Sequence, residues 1–278
     1  MSATTLSAED SAYLRGLIER HSAIVLDGSK DYLLETRLQP LARELGFTGL
    51  AELAQKARVD KGTLTTKIVE AMTTHETLFF RDLRPFETLR QHILPPLLES
   101  RAGKRSLHIW SAACSSGQEP YSVAMLLKEH FPDVCGWPPT IFATDLSKPV
   151  LERAKAGLFQ QMEVNRGLPA QLLIKHFERT GTQWQLKEDL RRMVQFAPLN
   201  LLDPFPPTLR PDIVLLRNVL IYFSTETKRD ILRRVRGVIA PDGWLLLGAA
   251  EAAHTVEDGW EGHTIDRTIW NRPRRSTP

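Results

Sequence analysis

Apolar residues fall at helical spacing through residues 6–70, and from Phe86 onward the pattern changes to short apolar runs alternating with helical stretches. Tyr13, Leu14, Leu17 and Ile18 share one face of a first helix, and Leu34, Leu38, Leu41 and Leu45 one face of a second that stops before Gly46. A third helix is predicted near Leu50 to Ala57 and a fourth near Leu64 to Met72. With no convincing strand among them, residues 1–75 are expected to form a small all-α domain.

Beyond it, strands are predicted at Leu107 to Trp110, Thr140 to Thr144, Val194 to Ala197, Ile213 to Arg217 and Trp244 to Gly248. Helices are predicted near Tyr121 to His130, Pro149 to Ala156 and Thr225 to Val238, the last followed by the turn Ala240-Pro241-Asp242-Gly243. This alternation argues for an α/β domain over residues 76–278, with a mainly parallel sheet covered on both faces. One further strand near Thr264 to Trp270 is expected to complete an edge. Residues 157–192 break the rhythm: Phe177-Glu178-Arg179, Gly181 and Trp184-Gln185-Leu186 read as a hairpin inside an inserted subdomain. Its Lys175, Arg179, Lys187, Arg191 and Arg192 make either a basic face or scattered solvated charges.

Composition narrows the class. A chain of 278 residues suffices for one large domain or a small one beside a medium one. Its 36 Lys and Arg against 33 Asp and Glu leave +3, which implies no strong field for nucleic acid. The two cysteines, Cys114 and Cys135, form no C-x-x-C and have no ligand-spaced histidines, which argues against a disulfide scaffold or a metal site. No apolar run reaches the roughly 18 residues of a membrane span. Met1-Ser2-Ala3-Thr4-Thr5 lacks the regions of a signal peptide, so the cytoplasm is the expected location.

The candidate chemistry gathers where strands end. Ser111-Ala112-Ala113-Cys114-Ser115-Ser116-Gly117 joins a strand to a helix through small residues, which let a ligand approach the backbone and the helix start. It lacks the three glycines that a pyrophosphate requires, favouring a cofactor without phosphate, a description S-adenosylmethionine meets. Asp145 closes a strand, either to accept ribose hydroxyls or to cap the next helix. Glu119, at a helix start, would repel a phosphate and attract a sulfonium or amino group; the alternative is an ordinary helix-start carboxylate. Asn200 can offer donor and acceptor to an adenine edge. Arg217 and Asn218 leave an apolar run, where an arginine is costly unless paired or at the strand mouth.

Six motifs in order then carry a resemblance. They are Thr74-His75-Glu76-Thr77-Leu78-Phe79-Phe80-Arg81, Ser111 to Ser122, Thr144-Asp145-Leu146-Ser147, Phe196 to Leu202, Arg217-Asn218-Val219-Leu220-Ile221-Tyr222-Phe223 and Leu247-Gly248. From Arg37 to Trp270 the chain resembles the chemotaxis receptor glutamate methyltransferase family, CheR. The resemblance implies a helical N-terminal domain before a Rossmann-like class I methyltransferase sheet with a small antiparallel insert. It implies that His75, Thr77, Arg81, Glu119, Asp145, Asn200, Leu201, Arg217 and Asn218 surround S-adenosylmethionine, which leaves as S-adenosylhomocysteine. His75 stands where the family often has Asn, which opens that contact to pH.

The implied reaction forms a methyl ester on a glutamate of a chemoreceptor cytoplasmic helical domain, in chemosensory adaptation. That carboxylate, with a pKa of about 4.3, is ionised at neutrality and needs no general base, so positioning and desolvation should dominate. Arg81 is the first candidate for binding the cofactor carboxylate bidentately or steering the acceptor glutamate, with the cofactor end favoured because tight binding of the acceptor would stabilise the ground state. Tyr222 either orients the acceptor through its hydroxyl or fills a wall beside Phe223. Arg37 and Arg43 are candidates for docking the receptor, or are ordinary surface arginines. The turn between Arg179 and Leu186 is short, which predicts independence from a receptor C-terminal pentapeptide. The chain is expected to act as a monomer, without nucleic acid or membrane insertion. The alternatives are a non-catalytic S-adenosylmethionine-binding scaffold and a class I methyltransferase with another substrate.

Overall fold

The structure, a computed structural model, describes residues 6–137 and 141–274, so Thr140 of the second predicted strand lies outside the described residues. It divides into two compact units: residues 1–74 with 200–202 and 222–227, and the remainder.

The first unit is helical, with α1 (Ala8–Ser22), α2 (Asp31–Glu44), α3 (Leu50–Arg58) and α4 (Thr63–Met72). Ser7 caps α1 by accepting from the Asp10 amide, satisfying one of the amides a helix start leaves unpaired. Leu14, Ile18, Leu34, Leu38, Leu53 and Ile68 are fully buried and form the unit's core. Tyr13 instead lies under the Arg58 guanidinium, 4.2 Å from the ring centroid, and Arg58 also reaches Glu9 and Asp10. Two later segments complete this unit: Asn200 Nδ2 donates to the His21 carbonyl at 2.8 Å, and the Val25 amide donates to the Tyr222 carbonyl at 2.9 Å.

The second unit opens with a helical stretch that the apolar pattern did not indicate: α5 (Arg84–Thr88), a π turn over Leu89–Ile93, and α6 (Leu94–Arg101). Pro85 lies in the first turn of α5, where a missing amide costs least, whereas Pro95 and Pro96 follow the π turn inside the continuing helical stretch. Next come β1 (Ile109–Ala112), α7 (Gln118–His130), β2 (Ile141–Asp145) and α8 (Lys148–Ala156). The insert follows as β3 (Leu158–Gln160), α9 (Gln161–Val164), α10 (Ala170–His176), β4 (Phe177–Thr180), β5 (Gln183–Leu186) and α11 (Glu188–Arg191). The chain then forms β6 (Val194–Pro198), β7 (Ile213–Leu216), α12 (Thr225–Val238), β8 (Trp244–Leu247), β9 (Trp260–Ile265) and β10 (Thr268–Pro273).

The seven-stranded sheet has the order β6-β2-β1-β7-β8-β10-β9, parallel except for β10, which runs antiparallel between β8 and β9. The strand order turns back at β1, which pairs with β2 on one side and β7 on the other. That switch point opens a crevice at the carboxyl ends of the strands. Arg101 clamps the opposite end, bonding buried Asp212 at 2.8 Å and Asp242 at 2.6 Å. Phe79, Phe159 and Phe177 meet edge to face beside the insert.

Three expectations change. β1 runs two residues later than the apolar pattern predicts, because buried Ser111 occupies an inward strand position. The single strand predicted near Thr264 to Trp270 is a hairpin of β9 and β10, turning at Asp266 (φ 43°) and Arg267 (φ 61°). Tight hairpins require such left-handed residues, and Asn-Gly or Asp-Gly is their usual signal. The insert is a three-stranded antiparallel sheet, β3-β5-β4, whose β4 to β5 turn consists of Gly181 and Thr182 alone. Its basic residues are partly neutralised: Lys175 pairs with Glu129 and Arg192 with Glu188.

Candidate cofactor site

The loop after β1 is held in an uncommon backbone shape. Ala113 (φ 59°), Ser115 (φ 52°) and Gly117 (φ 93°) are all left-handed, although only the last is a glycine. Such residues persist where their surroundings over-determine them. Here the Cys114 amide donates to the Thr144 carbonyl at 2.9 Å, and the Ser115 amide to Asp145 Oδ2 at 2.8 Å. Ser115 Oγ donates to the His75 carbonyl at 3.0 Å.

Asp145 thus ties the ends of β1 and β2 together. Its Oδ1 accepts from the Ser147 amide at 3.0 Å, whereas the N-cap of α8 is Ser147, not Asp145. A carboxylate has about four acceptor positions, so each oxygen keeps one for a ligand hydroxyl. Glu119, in the first turn of α7, also turns away from the amides of its own helix. Oε1 accepts from Ser111 Oγ at 2.8 Å and Oε2 from Arg217 Nη1 at 3.0 Å.

Arg217 follows β7 and is buried, and it is paired as a buried arginine must be. Its Nη2 donates to Asp82 Oδ2 at 2.7 Å and to the Arg81 carbonyl at 3.0 Å. One guanidinium therefore joins the start of α7 to the segment 75–82. That segment is fixed again where the Phe80 amide donates to Ser122 Oγ at 2.9 Å. Arg166 pairs with Glu76 at 3.1 Å, and a Cβ on Gly167 (φ 84°) would lie 2.0 Å from the Phe79 carbonyl oxygen. Only glycine allows the insert to approach so closely.

The second unit therefore links Glu119, Asp145 and Arg217, directly or through Ser115, to the backbone carbonyls of His75 and Arg81; Asn218 follows Arg217, and Thr77 lies within the bound segment. Thr77 is half-buried, and Arg81 sends Nη1 to the Glu76 carbonyl at 3.3 Å. Asn200, Leu201 and Tyr222 belong to the first unit. Both polar ends of the Asn200 amide are engaged there, Nδ2 by His21 and Oδ1 by the Leu202 amide at 3.0 Å. Arg37 places its guanidinium on the Met72 and Thr73 carbonyls, at 2.6 and 3.1 Å, and Arg43 is exposed on α2. Sequence reasoning missed Asp82, Ser111 and Ser115 as partners: Asp82 meets Arg217 and Ser115 meets Asp145 and His75 far along the chain, while the Ser111 hydroxyl reaches into the next helix. It also missed Glu251, which accepts amides at the ends of β7 and β8.

The arrangement suits a sulfonium nucleoside better than a phosphate, since Glu119 and Asp145 bring buried carboxylates to the crevice. A sheet of this order, with its next-to-last strand antiparallel and acids beside the first two strands, defines a class I S-adenosylmethionine-dependent methyltransferase. Residues 9–73 match the family described as CheR methyltransferase, all-alpha domain, and residues 75–268 match CheR methyltransferase, SAM binding domain. The chain belongs to the CheR methyltransferase family, and S-adenosylmethionine is its cofactor.

It is similar to Chemotaxis protein methyltransferase 1 of Pseudomonas aeruginosa, 44% identical over 256 residues that cover 91% of this chain and 93% of that one. It is 40% identical to Chemotaxis protein methyltransferase Cher2 of Pseudomonas putida, over 91% of this chain and 93% of the relative. Among solved structures, the glycopeptide N-methyltransferase MtfA complexed with S-adenosylmethionine aligns at 18% identity and a TM-score of 0.33, covering 54% of this chain and 48% of that one. Among the described residues, no helix is long and apolar enough to cross a membrane.

Proposed function

We propose that this chain transfers the methyl group of S-adenosylmethionine to glutamate side chains of chemoreceptor cytoplasmic helical domains, in chemosensory adaptation. The observation that carries the reading is the segment 75–82, whose backbone is bonded to Ser115, Ser122 and Arg217 around the cofactor loop. Asp145 holds the ribose hydroxyls, and Glu119 faces the cationic end of the cofactor. Arg81, whose guanidinium makes a long bond to the Glu76 carbonyl, turns to the cofactor carboxylate. The cofactor supplies the methyl group when bound; the protein aligns it with an acceptor that is already ionised and keeps water away.

The two-residue Gly181-Thr182 turn supports activity without a receptor C-terminal pentapeptide. Exposed Arg43 supports receptor docking on α2 more directly than Arg37, whose reversal would also disturb the end of α4. The net charge of +3 supports a protein substrate over nucleic acid, and we place the reaction in the cytoplasm, with the chain a monomer.

The test is radiolabelled methyl transfer to purified receptor cytoplasmic fragments, followed by release of the label in base, as a glutamate methyl ester requires. Cofactor binding without base-labile product on any receptor fragment would replace this reading with a scaffold that only binds S-adenosylmethionine. Calorimetry with receptor C-terminal pentapeptides tests the tether, and tight binding would overturn independence.

A further inference from the structure

We propose that Glu251 is a positioning residue for the cofactor side of β7, acting through Asn218. Glu251 stands outside every motif of the family resemblance. Its carboxylate nevertheless ties the ends of two neighbouring strands. Oε2 accepts from the Asn218 amide at 2.9 Å and from the Gly248 amide at 2.6 Å, and Oε1 accepts from the Ile221 amide at 3.2 Å. The Glu251 amide donates back to the Gly248 carbonyl at 2.9 Å, closing a turn that aims the side chain at β7.

The backbone it holds is one that does not hold itself. Asn218 is left-handed, with φ 59°, at the step where the chain leaves β7 immediately after Arg217. That conformation is uncommon outside glycine and needs outside support. A carboxylate is a stronger acceptor than a carbonyl, and this one gathers three amides. Gly248 is part of the device: an added Cβ would lie 2.6 Å from Glu251 Oε2, 2.8 Å from Asn218 Nδ2 and 2.9 Å from the Asn218 amide nitrogen. Only a residue without a side chain lets the carboxylate and Asn218 close on β8 together. Glu251, Gly248 and the Asn218 backbone therefore form one unit, and it sets the direction in which Asn218 presents its amide.

The inference rests on the proposal that Asn218 faces S-adenosylmethionine, and its test separates the two. Cofactor affinity is measured by calorimetry for the full chain, Asn218→Ala, Glu251→Ala and the double variant, with folding followed by circular dichroism. Glu251→Ala is expected to weaken S-adenosylmethionine by about tenfold or more, since the amides that order the turn lose a charged acceptor. The double variant should be no weaker than the worse single one, because both changes remove the same presented amide. In turnover, KM for the cofactor should rise while kcat at saturation stays within about threefold.

Glu251→Gln keeps one oxygen for the Asn218 and Gly248 amides but faces the Ile221 amide with a donor, so it should lose less; if Glu251→Ala does not fold, this variant carries the same cycle. Binding within about twofold of the unaltered chain for Glu251→Ala, or losses that add in the double variant, would overturn the proposal. If Asn218→Ala binds normally while Glu251→Ala does not, the role of Asn218 fails and with it the route proposed for Glu251. A chain that binds no S-adenosylmethionine even unaltered would refute the cofactor reading instead.

Discussion

Replacing Arg217 with methionine should cost this protein more stability than removing any of its exposed ion pairs. The Arg217 side chain is 2% exposed and that of its partner Glu119 12%, so the substitution strands a buried carboxylate that keeps the Ser111 hydroxyl but loses its cation. Breaking a buried pair from one side costs about 3–5 kcal/mol, because the remaining charge stays desolvated and uncompensated. The second pair, to Asp82 at 44% exposure, adds little, since water replaces the guanidinium there. For a unit of this size about 1 kcal/mol moves the melting temperature by roughly 2–4 °C, which gives a fall of about 10 °C. The sharper sign lies in the double variant: Arg217→Met with Glu119→Gln removes the stranded charge and should melt above Arg217→Met alone. Thermal melts followed by circular dichroism at pH 7.5 measure both. A single variant within about 2 °C of the unaltered chain, or a double variant that only adds a second loss, would refute a buried electrostatic lock.

His176 is buried against Glu129 at 2.7 Å, with Lys175 and Lys128 nearby, and burial is the main cause that holds its pKa below the ordinary 6.5. The unfolded chain takes up that proton first, so stability is complete above about pH 6.5 and falls as pH drops toward the lower folded value; urea titrations at pH 7.5 and 5.5 should show His176→Gln losing part of this slope. Burial raises the Cys114 thiol well above its ordinary 9.0, with Asp145 and Glu119 adding to the rise, so in a Cys135→Ser background a thiol reagent at pH 8 should label Cys114 only when urea unfolds the chain. Gly167→Ala should destabilise by about 2 kcal/mol or more and weaken cofactor binding, because its Cβ must displace the Phe79 carbonyl, whereas Gly181→Ala, with open space around it, should cost only about 1 kcal/mol. Equal melting temperatures for these two glycine variants would contradict the close approach of the insert to Phe79.

The helices of the first unit were readable because each buries one regular stripe, as Leu34, Leu38 and Leu41 do on α2. Asp145 and Glu119 could be located in advance by chain position alone, one closing a strand and one opening a helix. What escaped was set by groups remote in sequence or by unsignalled backbone. Ser111 pairs in the sheet with its hydroxyl on Glu119, a strand position that an apolar pattern passes over, and Asp82 is fixed by an arginine 135 residues away. The Asp266-Arg267 turn carries neither glycine nor asparagine, so an apolar scan runs straight through it. Left-handed Ala113 and Ser115 are equally silent, since their shape is imposed by Thr144 and Asp145.

The first unit is discontinuous in the gene: residues 200–202 and 222–227 fold with the helices of residues 1–74. A chimaera joined at residue 74 would thus inherit four helices from one parent and, from the other, the Asn200 amide that bonds His21 and the Tyr222 carbonyl that bonds Val25. Relatives can exchange this unit cleanly only by exchanging three stretches of sequence together, so its history of substitution should be written in correlated changes across those stretches and not in the front of the chain alone.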